Sequence, residues 1–88
     1  MENDHIVCRV QPFMYKQEVS VYQNGECVKN VRCTLSDFQD VVLALADQYD
    51  IHKVDLAGSS LFVSKVKKDL EKRNLEMYSN RKLEVFLH

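Results

Sequence analysis

The sequence predicts a two-layer α/β domain: a five-stranded mixed sheet in the order 3-2-1-4-5, with two helices on one face. Three observations carry this prediction. Apolar residues alternate at period two in five separate stretches, the signature of strands with one buried face. Between the third and fourth of these, the stretch from Thr34 to Gly58 switches to helical spacing and then returns to alternation. A second helical stretch and a last alternating run follow, so the element order is β-β-β-α-β-α-β. The first three strands form a meander. Two right-handed crossovers in one direction then put both helices on the same side of the sheet.

Taken in order, His5 to Gln11 sets Ile6, Cys8 and Val10 against Val7, Arg9 and Gln11, giving a strand with one apolar face. Pro12 stands at its end, where a missing N–H does least harm. Phe13-Met14-Tyr15 is the connection, and Glu18 to Tyr22 resumes the alternation with Val19 and Val21 inward. Asn24-Gly25 favours a two-residue type I′ hairpin turn, because both residues tolerate positive φ. Such a turn pairs Tyr22 with Cys27 and Val21 with Val28. In the third strand, Cys27 to Cys33, Val28 and Val31 have opposite parity, so a bulge is expected near Lys29-Asn30.

Phe38, Val41, Val42, Leu45 and Tyr49 recur at spacings of three and four, one stripe of an amphipathic helix. Thr34 or Ser36 is the expected cap, and Ser36 with Gln39 has capping-box spacing. Asp37 and Asp40 favour the positive end of the helix dipole. Lys53 to Ala57 then alternates as a strand, which Gly58 ends. Ser59-Ser60 opens a second helix from about Leu61 to Arg73, with Phe62, Val63, Val66 and Leu70 buried and Lys65, Lys68 and Lys72 in a basic stripe. Asn74 is expected to end it, and Leu75 to Asn80 to connect onward. Leu83, Val85 and Leu87 alternate with Glu84, Phe86 and His88 in the last strand.

With 88 residues, there is room for a single domain, 1-88, with one core. A formal net charge of −1 gives no global attraction to nucleic acid or to an acidic membrane. No apolar run is long enough to span a bilayer, and Met1-Glu2-Asn3-Asp4 is acidic rather than signal-like. Cys8, Cys27 and Cys33 are odd in number and widely spaced, which reads as reduced thiols in a cytoplasmic protein.

The order β-β-β-α-β-α-β resembles the core of the ribonuclease H-like and actin-like folds over nearly the whole chain. VDLAGSS resembles the strand–glycine–helix step of actin-like ATPases. The resemblance to the nucleases implies a metal-holding carboxylate midway along the first strand and another at the end of the fourth. Here the first strand reads HIVCRVQPF, so Arg9 and Gln11 stand where an acid is wanted, and Asp55 is the one candidate ligand left. In style, VCRVQPF, KQEVSVYQNGE and LADQYDIHKVDLAG also resemble small proteins of unassigned function carried by large tailed phages.

The remaining candidates are weighed one by one. Gly58-Ser59-Ser60 reads either as an anion site at a helix N-terminus or as a plain cap, and the cap is favoured because no phosphate-binding glycine motif is present. His5, His52 and His88 lack metal-site spacing. Cys8 and Cys33 have no histidine close in sequence, and no G-x-S-x-G occurs. No catalytic residue, cofactor or metal is therefore expected. Lys65, Lys68, Lys72 and Arg73 are the candidate nucleic-acid contacts, diluted by Asp69 and Glu71 and without interleaved aromatics.

Ribonuclease H-like domains place a further helix on the second face of the sheet, after the fifth strand. The chain given stops at His88, so that face is expected to be open and to carry Val7, Arg9, Tyr22, Asp55, Ala57, Glu84 and Phe86. Beside it, Phe13, Met14 and Tyr15 read as interface anchors, the alternative being that Phe13 and Tyr15 fold back to close the end of the core. The expectation is a non-enzymatic protein-interaction module. Its partner is itself or another protein, bound through the open face or an edge strand by Val7, Arg9, Phe13, Met14, Tyr15, Tyr22 and Phe86. Nucleic acid ranks second as a partner, and a membrane is not expected.

Overall fold

The computed structural model describes residues 6–58, 60–78 and 82–87. The elements are β1 (Ile6–Phe13), β2 (Lys16–Gln23), β3 (Glu26–Cys33), α1 (Phe38–Tyr49), β4 (Lys53–Leu56), α2 (Ser60–Met77) and β5 (Glu84–Leu87). They form one five-stranded sheet in the order β3-β2-β1-β4-β5. The β3–β2 and β2–β1 pairs are antiparallel, and the β1–β4 and β4–β5 pairs are parallel. His5, Ser59, Arg81 and His88, and the side chain of Phe62, lie outside the described residues, so the expectations placed on them do not enter below.

Register explains the core. Cys8 faces Val21 and Val54, Val10 faces Val19 and Leu56, and Val54 faces Val85. Because side chains alternate along a strand, all of these fall on one side of the sheet, and all are buried. They join Phe38, Val42, Leu43, Leu45 and Ala46 of α1 with Val63, Val66 and Leu70 of α2 in a single cluster. Both helices therefore cover the same face.

The two hairpins differ. Asn24 and Gly25 hold φ of 54° and 83°, as a type I′ turn requires. The β1–β2 hairpin turns on Met14 and Tyr15 between the facing pair Phe13 and Lys16, and Met14 takes a φ of 56° without being glycine. Both turn residues stand clear of the core, at 86% and 96% exposure, so Tyr15 does not close its end. Pro12 lies near the end of β1, opposite Gln17.

Other expectations need correction. Tyr22 faces Cys27 as expected, but Val21 faces Lys29 rather than Val28, and the register shift falls between Val21 and Tyr22. The extra residue of the bulge is therefore Val28, just before the expected place. The tight turn fixes Tyr22 against Cys27, while Val19 must meet Val31, so the surplus residue has to be lost between those pairs.

At the start of α1 neither Thr34 nor Ser36 caps the helix. Asp37 is the N-cap and makes no side-chain cap bond. The N–H groups of Asp37 and Phe38 both donate to the Thr34 carbonyl, at 3.1 and 3.0 Å. The Thr34 and Ser36 hydroxyls lie 3.0 Å apart and satisfy one another. The buried stripe of α1 is also wider than expected. It adds Leu43 and Ala46, with Val41 and Tyr49 half-buried at its flanks, because α1 meets α2 as well as the sheet. At its other end Asp50 takes a left-handed φ of 55°, which turns Ile51 fully into the core.

Helix α2 runs to Met77, a turn beyond Arg73. Asn74 does not end it but continues the line of Val63, Val66 and Leu70 at the same spacing, and is fully buried. Tertiary placement overrides the modest helix propensity of asparagine. Strand β4 stops at Leu56, and the next N–H, on Ala57, reaches the Val10 carbonyl at 2.9 Å. Gly58 then takes a φ of 149°, a conformation that favours glycine. Leu87 shares the inward parity of Val85, yet it is 42% exposed at the margin of the sheet.

Leu45 is 5% exposed beneath α1. Leu45→Ala is expected to lose about 2–5 kcal/mol of stability through the cavity it leaves. Urea unfolding checks this, and an unchanged midpoint would mean that α1 is not packed as described.

Candidate functional site

The second face of the sheet is the surface on which most of the sequence-selected residues meet. Residues of the parity opposite to the core point there. Their register aligns Asn30, Ser20, Arg9, Asp55 and Phe86 in one row across all five strands. Asn30 Nδ2 donates to Ser20 Oγ at 2.8 Å. The Arg9 guanidinium lies 4.0 Å from the Asp55 carboxylate and sits over the Tyr22 ring, 5.2 Å from its centroid. Val7 faces Tyr22 and is half-buried beside it. Phe86 ends the row and is 42% exposed.

A second row runs alongside. Gln11 faces Glu18, which faces Arg32. Gln11 Nε2 donates to Glu18 Oε1 at 2.9 Å, and Arg32 Nε to Glu18 Oε2 at 3.4 Å. The Arg32 guanidinium stacks on Phe13, 3.8 Å from the ring centroid, so Phe13 belongs to the open face and not to the core. The Gln11 amide, with Arg32 adding to it, holds the Glu18 carboxyl below its ordinary value of 4.5. Arg9, Gln11, Asp55 and Ala57 border a shallow depression of about 200 Å³ between the rows.

The face presents charged groups, amides and aromatic rings. Arg9 stands directly opposite Asp55, so a cation occupies the place beside the one carboxylate that the nuclease resemblance singled out. Among the described residues no group of three or more His, Cys, Asp or Glu side chains is gathered closely enough to hold a metal ion. The thiols are free. Burial, with the Asp55 charge adding to it, pushes the Cys8 thiol up to about 12. Burial and then Asp37 also raise Cys33, whereas Cys27 is exposed on β3.

Other selected residues stand apart from the face. Met14 and Tyr15 form the tip of the β1–β2 hairpin, next to Phe13. Lys65, Lys68 and Lys72 are exposed on α2, whose buried side packs on the other layer. Arg73 is tied to α1, bonding Gln39 Oε1 at 3.2 Å and pairing with Asp40. Sequence reasoning missed the Gln11–Glu18–Arg32 row and the Ser20–Asn30 bond, since cross-strand pairs emerge only once register is known. No described helix is long and apolar enough to cross a membrane.

No family model and no curated protein matches the chain. A solved structure from Bacteroides thetaiotaomicron does match: a protein with an actin-like ATPase fold and unknown function. It is similar over 97% of this chain, with a TM-score of 0.67 at 13% identity. This chain spans 33% of that protein's length. The likeness is one of fold alone: the present architecture matches part of a protein with an actin-like ATPase fold.

Two outcomes follow from these environments. Cys27 is expected to alkylate readily in the native protein, whereas Cys8 labels only on unfolding, because it is fully buried; mass spectrometry of the labelled peptides reads both. Glu18, its carboxyl depressed, contributes stability above its ordinary 4.5 that is lost as the pH falls through the folded value. Between about pH 5 and about pH 3 the wild type should lose more stability than Glu18→Gln. Parallel losses would mean that Glu18 is uncoupled from folding.

Proposed function

We propose that this chain is a protein-interaction module without catalytic chemistry of its own, and that it associates with a second copy through the open sheet face. The observation that carries the reading is the Asn30–Ser20–Arg9–Asp55–Phe86 row. It crosses β1, β4 and β5, whose parallel pairing is of a kind seldom left facing water. Two features make the face suited to its own image. Arg9 lies beside Asp55 and Arg32 beside Glu18, so a two-fold partner can offer each charge its opposite. Tyr22, Phe13 and Phe86 supply aromatic anchors of the kind enriched at interfaces. The three free thiols suit a reducing, cytoplasmic setting.

Nucleic-acid binding is the second reading, and one observation favours it. Lys65, Lys68 and Lys72 lie exposed on α2 and make no ion pair with any described residue, in contrast to Arg73 and Lys67. Such lysines can contact phosphates, with an affinity that falls steeply with salt.

Light scattering at low and high salt separates the two. A species larger than the monomer that survives high salt, and that Phe86→Ser returns toward the monomer mass without unfolding it, supports the face. A wild type that is monomeric throughout, and retained on a nucleic-acid column only at low salt, supports the lysines instead.

A further inference from the structure

At Val85 the outer edge of β5 is bonded by side chains of α2. Val85 turns its side chain into the core, at 3% exposure, while its N–H and C=O point away from β4. In an edge strand such groups meet water and form a template for another strand. Here Lys67 Nζ donates to the Val85 carbonyl at 3.0 Å. The Val85 N–H donates to Glu71 Oε2 at 3.4 Å, and the same oxygen accepts from Lys67 Nζ at 2.9 Å. One lysine and one glutamate, a helical turn apart, thus supply an acceptor and a donor where a sixth strand would.

A depression with apolar residues lies beside this edge. Glu71, Leu75, Lys82, Leu83 and Glu84 border a depression of about 330 Å³ beside the strand. Leu75 is 57% exposed there, and Leu87, of the same parity as Val85, is 42% exposed. The strand has no bulge, and its last three residues are apolar. The opposite edge is protected differently, for β3 carries the Val28 bulge together with Lys29 and Arg32.

We infer that the Lys67–Glu71 pair is a guard that keeps β5 from adding a β-strand of a second copy, and so directs association away from this edge. The inference stands apart from the reading of the open face: that reading is tested on the wild type and Phe86→Ser, this one on the difference between guard variants and the wild type.

The test is the molar mass of Lys67→Ala/Glu71→Ala by light scattering against concentration, with circular dichroism to confirm the fold. The expected result is a roughly two-fold or greater rise in weight-average mass over the wild type as concentration increases about ten-fold. Adding Leu87→Lys, which sets a charge on the exposed edge, should abolish the rise. Glu71→Gln, which keeps an acceptor oxygen for the Val85 N–H, should behave as the wild type. If the double variant does not fold, Lys67→Ala alone, which bares only the carbonyl, carries the same comparison. A folded variant with the wild-type mass at every concentration overturns the inference. So does a rise that Phe86→Ser removes and Leu87→Lys does not.

Discussion

The contact on which the structure rests is that of α1 with the antiparallel half of the sheet. Phe38, Val42, Leu45 and Ala46 close over Cys8, Val10, Val19 and Val21, and α2 extends the cover toward β5. Fully burying a large apolar side chain contributes about 1.5–3 kcal/mol, whereas an exposed ion pair contributes about 0–1 kcal/mol. The fold is therefore decided on the helical side. The rows of polar residues on the other side add little to stability by comparison.

Much of the fold could be read from the chain because its signals were local and agreed with one another. Alternation in HIVCRVQ, helical spacing from Phe38 to Tyr49 and the Asn24-Gly25 turn each point to one conformation. Handedness of the crossovers then leaves one sheet order. What failed depended on contacts that residue spacing does not reveal. Asn74 resembles a helix stop until α2 is seen to hold it against the core. Thr34 and Ser36 resemble caps until their hydroxyls meet each other. The site was legible as a list of residues but not as rows, because parity assigns a face while register decides which residues meet on it. The spacing of Lys67 and Glu71 was visible as a helical pair; that the pair reaches a strand edge was not.

The open face shows how one fold can hold different chemistry. At 13% identity the Bacteroides protein keeps the architecture with almost none of the residues, so the fold says little about what this face does. In the present chain Arg9 is held both by Asp55 and by the Tyr22 ring.

The bulge at Val28 has a bearing on how the chain can change in length. Inserting or deleting one residue in a regular strand exchanges its two faces, which here would turn Asn30 and Arg32 inward and Val31 outward. Val28 already absorbs one such step, and it lies between the fixed turn and the fixed Val19–Val31 pair. Loss of a single residue at this point would give an unbroken ladder and leave every pair beyond it in place. The β2–β3 hairpin thus carries a built-in tolerance for a one-residue difference, which the other strand pairings of the sheet do not share.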